Sequence, residues 1–286
     1  MLTIGFIGAG TTGTALAVRL AQRGYHVTAA ASRSLASTEK LAAKMSGCQA
    51  CKTAQEVADK AQLVFITTPD DAISEVAAKV QWHSEQNVVH CSGAHSVNIL
   101  ESVKRHGAMT GCFHPLQTFA SVEQAVDNIP GSTFAIEAEE PLLTTLKDMA
   151  TALEGEWVTL NAEDKVLYHA AAVFACNYLV TLVKLATDFW QSFGVSQAQA
   201  TKFLMPLLRG TLSNIENVGL PDCLTGPIAR GDLGTIGRHL TALKEENPSL
   251  IEIYKELGLQ TIPIALAKGK IDSQQVEEMK GLLQRN

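Results

Sequence analysis

The sequence has little charge for its length and no segment in which one sign is concentrated. Charged residues make up 18% of the 286 residues, and the net charge is −6 without a block of like charges. Proteins that bind nucleic acid or anionic membranes usually display clusters of Lys and Arg. We therefore expect neither a nucleic-acid nor a membrane partner.

Paired cysteines and an uninterrupted apolar run are also lacking. The six cysteines are scattered, as in reduced cytosolic proteins. Cys48 and Cys51 have the spacing of a redox or zinc motif but no second pair, so we expect no metal site. The most apolar segment, 166–193, is interrupted by Lys184 and Asp188, and an apolar strand begins at residue 2. We expect a cytoplasmic protein without a membrane span or signal peptide.

What the sequence does have is a glycine-rich turn between an apolar strand and a helix. The turn reads Gly8-Ala9-Gly10-Thr11-Thr12-Gly13. This order is typical of dinucleotide-binding domains, in which the first glycine permits the tight turn and the second admits the pyrophosphate. The third lets the helix pack against the strand. The N–H groups at the start of that helix, around Thr11 and Thr12, would face the phosphates.

The residues after the second predicted strand favour NADP(H) over NAD. An NAD site usually places Asp or Glu there to bind the ribose 2′-hydroxyl. This sequence has Ser32, Arg33 and Ser34 instead, and a guanidinium flanked by hydroxyls suits a 2′-phosphate. The alternative is a solvated Arg33 with Ser34 as the N-cap of the next helix.

Strand-like and helical segments alternate up to about residue 160. The strands are expected near 2–8, 25–30, 48–51, 62–67, 87–91, 108–113, 132–137 and 156–160. This alternation predicts a doubly wound parallel α/β sheet, a Rossmann domain over residues 1–160, with ligands at the carboxyl ends of the strands.

From residue 161 onward the pattern predicts helices only, which indicates an all-helical domain over residues 161–286. Asn161 is a plausible N-cap for the first helix, which runs to Phe193 and is apolar on nearly all sides, so we expect it to be buried. Later helices are expected over 197–217, with a kink at Pro206, and over 232–246, 249–267 and 273–284.

Three predicted strand ends carry candidate ligands. The fourth strand ends in Thr67, Thr68, Pro69 and Asp70, which we expect to bind sugar hydroxyls of the cofactor; the alternative is an ordinary turn and helix cap. The fifth ends in Ser92 and Gly93, candidates for binding a substrate carboxylate. The sixth ends at His114, a candidate catalytic or substrate-contacting residue or simply a polar strand end.

Polar residues on the first long helix are the other catalytic candidates. Lys165 and His169 are four residues apart and share a helix face, with Asn177 toward the same side. Lys165 is a candidate proton donor to a carbonyl oxygen, and Asn177 a candidate substrate ligand. Alternatively, Lys165 lies exposed in the first turn, and His169 and Asn177 are satisfied core residues.

A glycine- and proline-rich loop over 224–232 displays Arg230. Together with Thr225, Arg230 is a candidate for binding a substrate carboxylate, because a guanidinium can hold both carboxylate oxygens. The alternative is a surface pair of Arg230 with Asp232, in which Asp232 caps the next helix.

The whole chain resembles the 6-phosphogluconate dehydrogenase-like superfamily. Three motifs, 113–119 (FHPLQTF), 168–178 (YHAAAVFACNY) and 224–232 (LTGPIARGD), are similar to those of one branch, the Rossmann-like oxidoreductases with a C-terminal domain of unknown function. Some members of that branch are assigned as an alternative type of ketopantoate reductase.

The resemblance implies roles for two site residues and a dimeric assembly. Relatives carry Lys-x-x-x-Asn, with Lys as proton donor and Asn orienting the substrate; here Lys165 matches, but His169 replaces the asparagine, so the donor is either Lys165 or His169. The resemblance also implies a homodimer through the helical domain.

The sequence therefore predicts an NADPH-dependent reductase of a small keto or imino acid, with 2-dehydropantoate (ketopantoate) as the first candidate. Pyrroline-5-carboxylate reduction is an alternative. A prephenate-type dehydrogenase is another, because His114-Pro115-Leu116 resembles the His-Pro-Met stretch of those enzymes. A non-catalytic NADP(H)-binding regulator is the alternative outside enzymes.

Overall fold

The computed structural model describes residues 2–285 and divides into two compact units, one ending at Thr181 and one beginning at Leu182. The first unit is built on an eight-stranded sheet. Its strands are β1 Thr3–Ile7, β2 His26–Ala31, β3 Gln49–Ala50, β4 Leu63–Ile66, β5 Asn87–His90, β6 Met109–Leu116, β7 Thr133–Ala138 and β8 Glu156–Thr159.

Helices connect these strands, and 3-10 turns occur at Val97–Leu100 and Ala162–Asp164. The helices of the first part of the chain are α1 Thr11–Gln22, α2 Leu35–Ala42, α3 Ala54–Ala58, α4 Asp70–Lys79, α5 Glu101–Lys104, α6 Val122–Asn128, α7 Leu142–Ala152 and α8 Lys165–Ala175. The predicted alternation of strands and helices is confirmed.

The strand order is β3-β2-β1-β4-β5-β6-β7-β8. The central strands β1 and β4 are continuous apolar runs, because helices cover both faces of the sheet. Phe6, Phe65 and Phe113 belong to one core cluster. Ile7 and Ile66, the next residues along β1 and β4, belong to a second core cluster. The Rossmann fold class is therefore confirmed.

The sheet is not wholly parallel, which corrects one expectation. β7 runs antiparallel to β6, whereas the other neighbouring strands are parallel. The connection between them contains α6, of seven residues, and leaves the chain at the end of the sheet where β6 finishes, since Thr133 at the start of β7 pairs with Leu116 at the end of β6.

β6 also continues further than predicted. It pairs with β7 as far as Leu116, so Pro115 lies within the strand and His114 pairs with Ala135. His114 is therefore a residue inside an extended strand rather than one just past its end. β6 outruns β5, which ends at His90 opposite Cys112, and this overhang places His114 beyond the end of its neighbour.

The second half of the chain is helical, as predicted. α9 Asn177–Gln191 spans the division between the units, and α10 Gln197–Val218, α11 Leu233–Glu246, α12 Ile251–Ala267 and α13 Ser273–Gln284 follow. The expected single helix over 161–193 is divided at Cys176, whose φ and ψ of −112° and −66° depart from helical values. Pro206 lies inside α10.

The expected burial of the first long helix is wrong for the isolated chain. Of the residues from 165 to 191, only Lys165 and Thr187 are buried. Val166, Leu167 and Phe174 are 69%, 77% and 71% exposed. An apolar composition on all sides is also required of a helix that packs against another molecule, so sequence pattern cannot distinguish this case from a core helix.

The segment Ala162–Gln191 also corrects the expectation about membrane-length runs. An 18-residue window in it has a mean hydropathy of 1.7 and no buried residue, so by length and composition alone it could cross a membrane. Lys184 and Asp188, which we took as interruptions, form an ion pair one helical turn apart with Nζ and Oδ2 2.6 Å from each other.

Candidate functional site

The glycine turn has the geometry that a pyrophosphate requires. Gly8 has a φ of +121°, and a Cβ on it would lie 2.6 Å from the Thr67 carbonyl oxygen. Gly13 has no room either, because its Cβ would lie 2.5 Å from the carbonyl oxygen of Gly8. A Cβ on Gly10, in contrast, would have no atom within 4 Å. The packing of the turn thus requires glycine at positions 8 and 13, whereas the absence of a side chain at Gly10 leaves the adjacent space open.

The start of α1 faces this space without a competing group. Gly10 occupies the N-cap position, no side chain caps the helix, and its first turn, with Thr11 and Thr12, has no acidic residue. The first N–H groups of a helix lack partners and carry a partial positive charge. They are available to an anion.

A cleft of about 790 Å³ extends from this turn. It is lined by Ile7, Gly8, Ala9, Gly10, Ala31, Ser32, Arg33, Ser34, Ser37, Lys52, Ala54, Thr67, Thr68, Pro69 and Val76. The lining has two cations, Arg33 and Lys52, and none of its described residues is Asp or Glu. Such a lining favours an anionic group.

Some hydroxyl groups of the cleft form hydrogen bonds within the protein, and one has no partner among the described residues. Thr67 Oγ1 donates to the Gly8 carbonyl oxygen at 2.8 Å and so ties β4 to the glycine turn. Thr68 Oγ1 is buried and has no partner among the described residues, which a bound sugar hydroxyl would supply. Ser34 accepts a hydrogen bond from the Ser37 N–H at 3.2 Å, which confirms it as the N-cap of α2.

Lys52 is a cleft residue that the sequence reasoning missed. It follows the two-residue strand β3, whose neighbour β2 leads to Arg33. Carboxyl ends of adjacent parallel strands lie at the same edge of the sheet, so a search of each strand end for cations would have found it.

A second group of polar side chains surrounds the ends of β5 and β6. Ser92 Oγ donates to Asp70 Oδ2 at 2.6 Å and accepts from the N–H groups of Ala94 and His95 at 3.3 and 3.2 Å. Ser92 is 3% exposed. The Ser92 hydroxyl therefore makes all its hydrogen bonds within the protein, where it connects the loops after β4 and β5. Asp70 Oδ2 is likewise occupied by this contact.

Lys165 reaches this group from the first turn of α8. Asn161 precedes the 3-10 turn Ala162–Asp164 that leads into α8, and its N–H donates to Asp164 Oδ2 at 3.0 Å, so it caps this turn and Asp164 is the N-cap of α8. The Lys165 side chain is 1% exposed. Its Nζ lies 2.9 Å from Cys112 Sγ and 3.5 Å from the Ser92 carbonyl oxygen. The alternative of an exposed Lys165 is wrong.

Tyr168 and His169 follow Lys165 on the same helix face, at the i+3 and i+4 positions. Tyr168 Oη lies 2.8 Å from His114 Nδ1, and the two rings meet edge to face at 5.6 Å. His169 Nδ1 is buried without a partner among the described residues. Tyr168 was absent from the sequence-based candidates, although its spacing from Lys165 indicated it.

Gly93 brings the two imidazoles together. A Cβ at Gly93 would lie 2.8 Å from His114 Nε2 and 3.0 Å from His169 Nδ1. Only a residue without a side chain lets β5 end against both rings. Gly93 thus has a packing role at the centre of the group.

Burial and the charge of Lys165 set the protonation of the site. Burial, and next the Lys165 ammonium, lowers the pKa of His114 to about 4, so this imidazole is neutral at pH 7. Burial raises the pKa of Cys112 to about 11 against the opposing effect of Lys165, so the sulfur is a thiol. Burial likewise raises the pKa of the Tyr168 phenol, which keeps its proton.

Three predicted substrate ligands are not part of this group. Asn177 is exposed at the start of α9. Thr225 and Arg230 lie in the second unit and are also exposed. Arg230 forms no ion pair within residues 2–285. Substrate binding by these three residues stays a prediction.

The loop that carries Arg230 is nonetheless well held. Lys268 Nζ donates to the carbonyl oxygens of Asp222 and Leu224 at 2.7 and 2.8 Å. Asp232 accepts from the Thr235 N–H at 2.9 Å, which confirms it as the N-cap of α11. The alternative in which Asp232 pairs with Arg230 is not observed.

Comparison with known proteins agrees with this architecture. No curated protein matches the sequence. The solved structures that resemble it include the putative NADP oxidoreductase BF3122 of Bacteroides fragilis, with 27% identity over 92% of this chain and 98% of that one and a TM-score of 0.73. Protein TM1727 of Thermotoga maritima has 25% identity over 93% and 99% of the two chains and a TM-score of 0.76.

A more distant structure has the same fold. The NADP-bound pyrroline carboxylate reductase of Plasmodium falciparum is 14% identical over 99% of this chain and 98% of that one, with a TM-score of 0.62. Among family models, residues 1–115 match the Rossmann-like domain and residues 132–261 match DUF2520, a domain of unknown function. The chain therefore combines a match to the Rossmann-like domain in its first part with a match to DUF2520 in its second.

Proposed function

We propose that this protein is an NADP(H)-dependent oxidoreductase that reduces a small keto or imino acid. One observation carries the proposal: the first unit combines an open glycine turn and an acid-free, cationic cleft with a cluster of protonatable side chains. Both lie at the carboxyl ends of strands of one sheet, where ligands of α/β domains bind. The NADP association of BF3122 supports the choice of cofactor.

The cleft residues would hold the cofactor in distinct ways. The N–H groups of Gly10, Thr11 and Thr12 would bind the pyrophosphate, and Arg33 and Lys52 the 2′-phosphate. Thr68 Oγ1 would bind a sugar hydroxyl, since nothing else satisfies it. When bound, the nicotinamide supplies the hydride.

The polar residues around the ends of β5 and β6 would prepare the reaction. Lys165 provides a fixed positive charge that favours negative charge on the substrate oxygen. The His169 ring is half-buried, with Nδ1 enclosed and unpartnered, and Nε2 would bind a polar atom of the substrate. Ser92 and Asp70 hold the loops around them in place. The proton comes from the α8 face.

Ketopantoate, reduced to pantoate for pantothenate synthesis, is the first substrate that we propose. This choice depends on the resemblance of the motifs at 113–119, 168–178 and 224–232 to the alternative ketopantoate reductases. We also propose a cytoplasmic location, in keeping with the six cysteines, all of which are free.

We further propose that two chains associate through their exposed apolar helices. On α10, Phe203, Leu207, Ile215 and Val218 are 46–67% exposed and lie within about 120° of the helix circumference. An apolar stripe of this kind on a helix suits an interface between subunits.

The test is NADPH oxidation by the purified protein with ketopantoate. NADH and pyrroline-5-carboxylate serve as parallel arms. Turnover of ketopantoate with a strong preference for NADPH is the expected result. Turnover of pyrroline-5-carboxylate alone would replace the substrate but keep the reaction class. NADP+ reduction with prephenate would reverse the direction, and tight NADPH binding without any turnover would indicate a regulator.

A further inference from the structure

We propose that Tyr168 is the proton donor of this reduction, with His114 as its hydrogen-bond partner and Lys165 as a fixed charge. The inference depends on the proposed reductase function, and it names a residue that was not among the sequence-based site candidates. Three protonatable side chains occupy the α8 face, at positions 165, 168 and 169. Their surroundings separate their roles.

Lys165 is poorly placed to give a proton to a substrate. A general acid must come within about 2.6–3.2 Å of the atom that it protonates. The Lys165 side chain is 1% exposed, and its Nζ is turned toward Cys112 Sγ and the Ser92 carbonyl oxygen. A substrate atom cannot come within hydrogen-bonding distance of an ammonium group that is enclosed in this way. The positive charge still acts on the substrate electrostatically.

Tyr168 is better placed because it is only partly buried. Its hydroxyl is fixed by His114 Nδ1 at 2.8 Å, and the edge-to-face contact of the rings restricts its rotation. The neutral His114 imidazole has one N–H. In the tautomer with that hydrogen on Nδ1, His114 donates to the phenol oxygen, and the phenol O–H remains free to donate to a ligand.

The proton balance of the step is complete. When bound, NADPH would supply the hydride to the carbonyl or imine carbon, and the π electron pair would move to the oxygen or nitrogen. That atom takes the proton of the Tyr168 hydroxyl, so an O–H or N–H bond forms as the phenol O–H bond breaks. The phenolate left behind accepts the His114 Nδ1–H and lies near Lys165, whose Nζ is 6.0 Å from the ring centroid. Water reprotonates it after the product leaves.

His169 has a different role in this arrangement. Its Nδ1 is enclosed beside Gly93, whereas the ring as a whole is half-buried, so we assign it to substrate binding through Nε2 and not to proton transfer. Replacing it with Ala should therefore raise KM more than it lowers kcat. This difference between the effects on KM and on kcat distinguishes the role of His169 from that of Tyr168.

The experiment compares Tyr168→Phe with Tyr254→Phe. The control removes a similar bond, because Tyr254 Oη lies 2.9 Å from His239 Nδ1 in the second unit. Tyr168→Phe should lower kcat by ~10²–10⁴-fold with NADPH affinity unchanged. By calorimetry with NADP+ present, it should also weaken binding of the hydroxy or amino acid product by up to about tenfold. Tyr254→Phe should change none of these quantities.

The outcomes separate this inference from the function on which it depends. Wild-type protein without turnover on any carbonyl or imine acid would overturn both. Wild-type turnover with an unimpaired Tyr168→Phe variant would overturn only the role of Tyr168. A second pair of variants tests the partner: His114→Asn keeps an N–H donor and should retain more activity than His114→Ala. Equal activities of these two would exclude the role of the His114 N–H.

Discussion

At the scale of single residues, the burial of Lys165 was the decisive feature that the sequence left open. A lysine at the start of an apolar helix, beside Glu163 and Asp164, is equally typical of a solvated first turn. Its burial arises from contacts with Ser92 and Cys112, which are 73 and 53 residues away in the chain. Periodicity describes one element at a time and cannot supply such contacts.

Buried imidazoles make stability depend on pH. His90 is 0% exposed, and burial, followed by the charge of Lys165, lowers its pKa to about 3. The unfolded chain, with an ordinary histidine pKa of about 6.5, binds this proton at higher pH than the folded protein does. Stability is therefore complete above pH ~6.5 and is lost as the pH falls toward 3, by up to about 1.4 kcal/mol per pH unit.

The variant His90→Asn should reduce this dependence. Asn can still accept the hydrogen bond that the Ser92 N–H makes with His90 Nδ1 at 3.1 Å, but it does not titrate. Urea unfolding at several pH values between 6 and 4 should show a slope smaller by about one proton than in the wild type. The control is His26→Asn, at an exposed position of β2. Identical slopes for wild type and His90→Asn would contradict the assignment.

At the scale of elements, the existence and approximate positions of the strands followed from the sequence, but the direction of β7 did not. Alternating and apolar runs predict that a strand exists, and they look the same in parallel and antiparallel pairs. The direction depends on the path of the connection between β6 and β7, which local patterns do not encode. The same limitation concealed the overhang of β6, in which Pro115 lies within the strand.

The turn between β1 and α1 contains glycines with opposite roles, and two variants should separate them. Gly13→Ala places a Cβ against Thr67 Oγ1 and the Gly8 carbonyl oxygen, so it should destabilise the protein by about 1–3 kcal/mol. Gly10→Ala meets no atom and should leave the thermal midpoint unchanged. It should weaken NADPH binding about tenfold or more, because the Cβ projects toward the pyrophosphate.

Thermal unfolding and NADPH titration of both variants check this prediction. A Gly10→Ala protein that binds NADPH as tightly as the wild type would show that the phosphates do not lie at this turn. A Gly13→Ala protein of full stability would contradict the packing role of that glycine.

At the scale of the whole molecule, the exposed apolar helices support the proposed association of two chains. Leu207→Glu places a charge in the stripe on α10, where it would be buried on association. It should weaken self-association about tenfold or more and leave the folded chain intact, because Leu207 is 67% exposed. Arg209→Glu, on the opposite side of the same helix, is the matched control.

Sedimentation velocity across a range of concentrations measures this association. Wild-type and Arg209→Glu protein should sediment as dimers where Leu207→Glu protein sediments as monomers. A wild-type protein that stays monomeric would refute the interface. One that is recovered only with membranes or detergent would instead assign the segment 162–191 to a lipid environment.

The central claim, that the first unit binds NADP(H) through its cationic cleft, is tested most directly by calorimetric titration of NADPH and NADH into the wild type and Arg33→Ser. Loss of a charge-assisted contact to the 2′-phosphate should weaken NADPH binding about ten- to a hundredfold and leave NADH binding nearly unchanged. Lys40→Ser, at an exposed position of α2, should behave as the wild type. Equal affinities of the wild type for NADPH and NADH, unaltered in Arg33→Ser, would contradict the account.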